Sequence, residues 1–285
     1  AAIAEGYSSG VPVVYVASGV DFPDALSGAA RAAYNSGPLL LTDPSWLPSA
    51  TRGAMLRLSP GRVVIVGGAA AVSDAVAEQL RLLTTTGNLQ RVSGSDRYAT
   101  AAAMSSYYPI GGVVYLASGE GFPDALAGAA LAGRDKAPLL LTQSGALPVS
   151  TAEALSRLAP TKVVVLGGTG VISEAVMAQA AAKTTTGSVV RLAGPDRYAT
   201  AAAIAGQYGS AGSVYLASGE DFPDGLAGAA RAGRDRVPLL LTPSDVVPTS
   251  TSQQLSRLAP PRVWVLGGSG VVSDAVAAAV ARLLD

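Results

Sequence analysis

The chain has no cysteine and no histidine. Thiol nucleophiles, disulfide staples, the usual zinc sites and every histidine-based acid–base mechanism are thereby excluded. Aromatic residues are scarce, at 5% of the sequence. The two tryptophans, Trp46 and Trp264, do not recur at a fixed spacing, so a stacking platform for neutral sugars is not indicated. Neither charge dominates: 20 Lys plus Arg face 20 Asp plus Glu. No global field then draws the protein to nucleic acid or to an anionic membrane, and recognition of any anion must be local. The longest apolar stretches, Val63 to Val72 and Ala275 to Leu284, fall short of the roughly 18–20 residues that span a bilayer, so no membrane span is expected.

What is present is a repeat. Hydrophobic residues reach 49% and mean hydropathy is +0.37, ample for a packed core. The self-similarity has a period of 100 residues: Ala17-Ser18-Gly19 followed by Phe22-Pro23-Asp24 returns at 117–124 and 217–224, and all three phenylalanines lie in it. Pro38-Leu39-Leu40-Leu41-Thr42 returns at 138–142 and 238–242, and Gly67-Gly68 at 167–168 and 267–268. Thr-Thr-Thr-Gly stands at 84–87 and 184–187, and Asp-Arg-Tyr-Ala-Thr-Ala at 96–101 and 196–201.

Val13 to Ala17, Leu39 to Thr42, Val63 to Val66 and Leu89 to Val92 are short β-branched or leucine runs that suit buried parallel strands. Between them lie helical patterns such as Leu26, Ala29, Ala30 and Ala33, with Ser49 or Thr51, Ser73, and Ser95 or Asp96 as N-cap candidates. The fold class is therefore α/β: three tandem β-α repeat domains, at 1–87, 88–187 and 188–285. Each is expected to be a small parallel sheet with helices on both faces. The many Ala and Gly helix positions predict tight docking of the three. Ala1-Ala2-Ile3-Ala4 matches the tail of Asp196 to Ala205, so the first copy is expected to open midway through the last helix type, without the strand before it. One sheet is expected to lack a strand, or to take it from residues outside those given; no leader is visible.

Four motifs occur in fixed order: Ala-Ser-Gly-x-x-Phe-Pro-Asp, Pro-Leu-Leu-Leu-Thr, Val-[Val/Leu]-Gly-Gly and Arg-[Val/Leu]-x-Gly-x-Asp-Arg-Tyr-x-Thr-Ala. In these motifs the chain resembles the type 2 cell-wall-binding repeat family. The resemblance covers nearly all residues, in triplicate. It implies a pseudo-threefold surface module of Gram-positive or related organisms that attaches non-covalently to an anionic, teichoic-acid-like wall polymer. It also connects the leucine run, Leu39-Leu40-Leu41 and its copies, with polymer attachment. On physics alone these leucines are buried strands.

Candidate ligand contacts come from the edge beyond the strand C-termini, where parallel α/β sheets bind ligands and helix N-termini offer N–H groups. They are Ser18, Ser118 and Ser218; Thr42, Thr142 and Thr242; Asp24, Asp124 and Asp224; and Arg97 and Arg197. Each has a plain structural alternative. The aspartates could cap or favour helix N-termini. The arginines, which oppose a helix dipole where they stand, could fork onto a carboxylate across a domain interface. Arg57, Arg157, Arg257, Arg62, Lys162 and Arg262 form either a basic patch or a solvated surface. Gly167-Gly168-Thr169-Gly170 does not meet nucleotide-loop spacing. No cofactor or metal is expected. The leading expectation is a non-catalytic anchor for an anionic wall polymer. A self-associating surface-layer or fibre protein and, behind it, a wall hydrolase remain as alternatives.

Overall fold

Short apolar runs that are buried on both faces cannot stand alone; they need helices above and below. The computed structural model, which describes residues 1–284, shows how this chain supplies them. The first unit runs β1 (Val13–Ser18), α1 (Pro23–Tyr34), β2 (Leu39–Thr42), α2 (Ser49–Leu58), β3 (Arg62–Val66), α3 (Asp74–Leu82), β4 (Asn88–Val92) and α4 (Arg97–Ser105). The second repeats it as β5 (Val113–Ser118), α5 (Pro123–Arg134), β6 (Leu139–Thr142), α6 (Val149–Leu158), β7 (Lys162–Leu166), α7 (Glu174–Ala181), β8 (Val189–Leu192) and α8 (Arg197–Ala205). The third has β9 (Val214–Ser218), α9 (Pro223–Asp235), β10 (Leu239–Thr242), α10 (Thr249–Leu258), β11 (Val263–Val265) and α11 (Asp274–Arg282). A 3-10 turn, Ala2–Gly6, precedes β1.

All strands pair in parallel, in the orders β2-β1-β3-β4, β6-β5-β7-β8 and β10-β9-β11. Register is pinned by the pleat. In β1, Val14 and Val16 face α2 and α3 through Met55, Leu58, Val76 and Leu80, whereas Val13, Tyr15 and Ala17 face α1 through Leu26 and Ala29. A one-residue slip would exchange these two apolar sets. Ser73, Ser173, Asp96 and Asp196 cap their helices by accepting the N–H three residues on. By contrast the cap expected at Ser49 or Thr51 does not form: α2 starts behind Pro48 with no side-chain cap, and the Thr51 hydroxyl donates instead to the Leu41 carbonyl.

The three units share one core. Its residues run from Val13 to Val280 without a break between units, and α1, α5 and α9 pack on one another at its centre. Small residues permit that approach: a Cβ placed on Gly133 would stand 2.4 Å from the Ala33 Cβ, and one on Gly233 2.8 Å from it. At the N-terminal end of these helices Phe22, Phe122 and Phe222 meet pairwise, with ring centroids 5.7–5.9 Å apart in tilted or edge-on geometry. Near the opposite end an arginine of each unit covers a tyrosine of the next. Arg31 lies 4.7 Å from the Tyr108 ring, Arg134 4.3 Å from Tyr208, and Arg234 4.2 Å from Tyr7.

Two details of connectivity matter for function. Strand β4, which follows Thr84-Thr85-Thr86-Gly87, completes the first sheet beside β3, so that tetrad lies within the unit and not between sheets. Helix α4 then packs on β6 and α6 of the second unit, and α8 on β10 and α10 of the third. Each strand-plus-helix therefore bridges two units. A sheet does lack its fourth strand among the described residues, and it is the third, not the first.

Candidate functional site

In each sheet the strand order switches sides between the first and third strands of its unit, and the crevice beyond their C-terminal ends is where open α/β sheets place ligands. The predicted residues converge there. The serine hydroxyls close the rim: Ser18 accepts the Val20 N–H at 3.1 Å, Ser118 the Glu120 N–H at 3.1 Å and Ser218 the Glu220 N–H at 3.0 Å. The threonine hydroxyls at the ends of β2, β6 and β10 are buried and donate to loop carbonyls, of Trp46 and Ala146 at 3.2 Å and of Val246 at 2.8 Å. Both sets shape the rim with their hydroxyls turned to the backbone.

The aspartates sit deeper. Phe22, Phe122 and Phe222 occupy the N-cap positions, so Asp24, Asp124 and Asp224 fall in the first turn and do not cap. There they favour the positive end of the helix. Their Oδ2 atoms lie under Gly67, Gly167 and Gly267, where a Cβ would come within 2.6, 2.5 and 2.8 Å. The same glycines have φ of +116°, +105° and +99°, so glycine is required both for conformation and for space. Thr100 of α4 stands near Asp24, and Thr200 of α8 near Asp124, close enough for each hydroxyl to pull the carboxyl down. These threonine oxygens in turn accept the N–H groups of Gly94 and Gly194 at 3.1 Å. Burial raises all three aspartates above the usual carboxylate range. Asp124 is pushed up to about 6, against a lowering pull from Thr200 and Arg197. It is 9% exposed, and its Oδ1 has no hydrogen-bond partner.

Arg97 and Arg197 do cross the unit boundary, but not to form a carboxylate fork. Their Nη1 groups donate to the carbonyls of Gly119 at 2.6 Å and Gly219 at 2.5 Å, and Arg97 approaches Asp21 only at 3.8 Å. Tyr98 and Tyr198 pack under the same two glycines. The second junction encloses a cleft of about 360 Å³ lined by Ser118, Asp124, Gly168, Gly194, Asp196 and Arg197, with the first turns of α5 and α8 on opposite sides. The first junction assembles Asp24, Thr100 and Arg97 in the same way. The third has Asp224 but no Thr or Arg counterpart among the described residues.

Other candidates resolve into structure. Arg57 donates to the Tyr7 carbonyl at 2.8 Å and to the Ala4 carbonyl, Arg157 to the Ser105 hydroxyl at 2.7 Å, and Arg257 to the Ala205 carbonyl at 3.0 Å. They hold the C-terminal ends of the bridging segments and do not form a basic patch. Arg62, Lys162 and Arg262 lie at the strand N-termini, away from the clefts. Leu39, Leu40 and both later leucine triplets are buried; Leu41 is partly exposed. Two arginines that sequence reading passed over also brace the crevice. Arg91 and Arg191 donate to the Gly67 and Gly167 carbonyls at 3.1 and 2.7 Å and pair with Asp74 and Glu174. Their signal was the first residue of the Arg-[Val/Leu]-x-Gly motif. Among the described residues no cluster of acidic side chains could hold a metal ion, and no helix is long and apolar enough to cross a membrane.

The model of the family described as "Cell wall binding domain 2 (CWB2)" matches residues 1–77, 91–177 and 191–277. Among curated proteins, the N-acetylmuramoyl-L-alanine amidase LytC of Bacillus subtilis (strain 168) is 29% identical over 272 residues, 95% of this chain and 53% of that protein. The Amidase enhancer of the same organism is 30% identical over 230 residues, 80% of this chain and 31% of that protein. The chain thus spans about half or less of the length of these relatives. Among solved structures, Cwp8 and Cwp6 from Clostridium difficile superpose with a TM-score of 0.87 at 24% identity. They cover 98% and 97% of this chain, and 48% and 44% of theirs. At that identity the likeness speaks for the fold.

Proposed function

Because the chain belongs to the cell wall binding domain 2 family, we propose that it is a non-catalytic anchoring module holding its bearer to an anionic wall polymer of the teichoic-acid type. Family membership places it at the cell wall, on the outer surface of the cell. The observation that carries the finer reading is the recurring junction constellation. An aspartate, a bridging threonine and a cross-unit arginine come together at both the first and the second junction, in one body whose units share a core. Rigidly linked weak sites gain effective concentration, so modest contacts suffice to hold a protein on a polymer. Arg197 is exposed with N–H groups beyond its Gly219 bond, and stands beside two helix N-termini, a setting that suits a phosphate or uronate.

A hydrolytic role is disfavoured by the same geometry. Glycoside hydrolysis needs two carboxylates at a set separation, and the second carboxylate of the cleft, Asp196, is engaged in capping α8 through the Ala199 N–H. The test is retention on purified wall with and without its anionic polymer, across a salt series. Retention should need the polymer and weaken with salt. Arg197→Ala should lose about tenfold or more in affinity, the usual worth of one charge-assisted hydrogen bond. Equal retention on stripped wall would overturn the reading.

A further inference from the structure

The three copies differ in charge at the C-terminal ends of their central helices. Asn35 stands where the second unit has Asp135 and the third Asp235. Asp235 accepts the Nε–H of Arg231 at 2.6 Å and the Tyr215 hydroxyl at 3.0 Å. Asp135 accepts the Nε–H of Arg134 at 2.6 Å and the Tyr115 hydroxyl at 2.5 Å. Each carboxylate thus neutralises an arginine whose side chain is largely withdrawn from water, 18% exposed for Arg134 and 19% for Arg231. The first unit keeps the cation without the carboxylate. Arg31 precedes Asn35 by four residues, as Arg231 precedes Asp235, and the Asn35 amide donates to the Tyr15 hydroxyl but carries no charge. Among the described residues Arg31 has no ion pair, and its Nη1 is buried with no hydrogen-bond partner. Its guanidinium rests on the Tyr34 and Tyr108 rings, 4.3 and 4.7 Å from their centroids, and ring faces offset part of a positive charge. Arg134 and Arg231 rest on rings as well, and each still takes a carboxylate.

Arg31 borders a hollow of about 40 Å³ whose other polar walls are Tyr15, Asn35, Arg62, Gln90 and Tyr107. Arg62 is exposed and, like Arg31, has no ion pair among the described residues. Lys136 stands close by, with its Nζ 5.8 Å from the Tyr34 ring. Two guanidinium groups therefore line the hollow and no carboxylate does. We infer that it is a binding site for a small monovalent anion of halide size, which supplies at the first junction the charge that Asp135 and Asp235 supply at the others. The volume selects the ligand. A water molecule takes about 30 Å³ in the liquid, so there is room for one monatomic ion and none for a phosphate or a sugar acid. Arg31, Arg62 and the Asn35 amide offer it N–H donors. Water in the same place accepts from Nη1 but leaves the guanidinium charges uncompensated, and a buried charge is costly unless paired. The walls come both from β1 and α1 and from the bridge to the second unit, through Gln90 and Tyr107. A bound anion thus braces that junction, at the end of the molecule opposite the clefts.

The test follows thermal unfolding while sodium gluconate is replaced by sodium chloride at constant ionic strength, for the parent chain, Asn35→Asp and Arg31→Met. Gluconate is too large for the hollow. At a chloride concentration about tenfold above its dissociation constant, the parent's melting temperature should rise by roughly 2–5 °C. Asn35→Asp brings its own counter-charge, as the second and third units do, and Arg31→Met has no charge to counter. Both should show less than half of the parent's rise. Diffraction from bromide-soaked crystals supplies the position, with an anomalous peak within hydrogen-bond reach of Arg31 Nη1 in the parent and none there in Asn35→Asp. A parent indifferent to chloride, or an equal rise in all three proteins, overturns the site. So does a bromide peak with no chloride effect in solution, which is binding at crystal concentration only. Wall polymer enters none of these measurements, so their outcome bears on the anion site alone and leaves the proposed function to its own test.

Discussion

If the three units are held by close approach of α1, α5 and α9, then one methyl group at their contact should matter more than its size suggests. Gly133 lies in the last turn of α5, and a Cβ there would stand 2.4 Å from the Ala33 Cβ and 3.3 Å from the Gly233 Cα. Carbon atoms rest at about 3.5–4.0 Å, so the helices must part by roughly 1 Å, and neither obstacle is a flexible side-chain tip. Overpacking of this kind costs about 1–3 kcal/mol, set against at most ~1 kcal/mol gained in helix propensity. Gly133→Ala should therefore destabilise by about 1–2 kcal/mol, and lower the melting temperature by about 2–8 °C for a chain of this size. Gly53→Ala is the control. It is the same change in a helix where the added Cβ meets nothing within 4 Å, and it should stabilise by about 0.5–1 kcal/mol. The pair Ala33→Gly with Gly133→Ala moves the methyl group from one helix to the other, and should be more stable than the two single losses add up to by about 1–3 kcal/mol. Thermal and chemical denaturation measure all four proteins. A Gly133→Ala protein as stable as the Gly53→Ala protein, or a double variant that merely sums its parts, would refute the packing argument.

The shared core predicts a single calorimetric transition for all three units, and Phe122→Ala, which removes two of the three ring contacts, should lower that one transition by several degrees and leave no unit melting separately. For Asp124, burial raises the carboxyl from 3.8 to about 6, so the native chain holds a proton that the unfolded chain releases between those values. The contribution to stability is greatest below pH 3.8 and is lost as pH rises through about 6. Asp124→Asn should therefore gain on the parent by on the order of 3 kcal/mol between pH 4 and pH 7, and parallel stability curves for the two proteins would count against it.

The sequence carried the architecture because its signals are local and triplicated. Val13 to Ala17 and Val63 to Val66 read as buried strands, and they are. Ser73 and Asp96 read as caps, and they cap. The docking contacts were less legible because they break the period. Tyr7, Tyr108 and Tyr208 are not evenly spaced, and the arginines that cover Tyr108 and Tyr208, Arg31 and Arg134, sit one helical turn apart in register. Comparison at a spacing of 100 sets Arg31 beside Leu131 and Tyr34 beside Arg134, so it registers a difference where space holds an equivalence. A long side chain reaching from either turn can cover the same ring.

The clefts show a second limit of the same kind. Asp24 and Asp124 were visible as repeated residues, but their partners, Thr100 and Thr200, lie some 76 positions on. No pattern local to either motif joins them. The join exists because β4 and β8 complete one sheet while the helices that follow them pack on the next unit. That crossing makes each cleft a property of a junction: the aspartate comes from one unit, the threonine from the bridge, and the arginine reaches a carbonyl of the next. It follows that loosening the junction and emptying the cleft are one event. If the clefts hold the wall polymer as proposed, the Gly133→Ala protein, displaced at the helical contact, should bind it more weakly than the Gly53→Ala protein, although residue 133 itself lines no part of the 360 Å³ cleft.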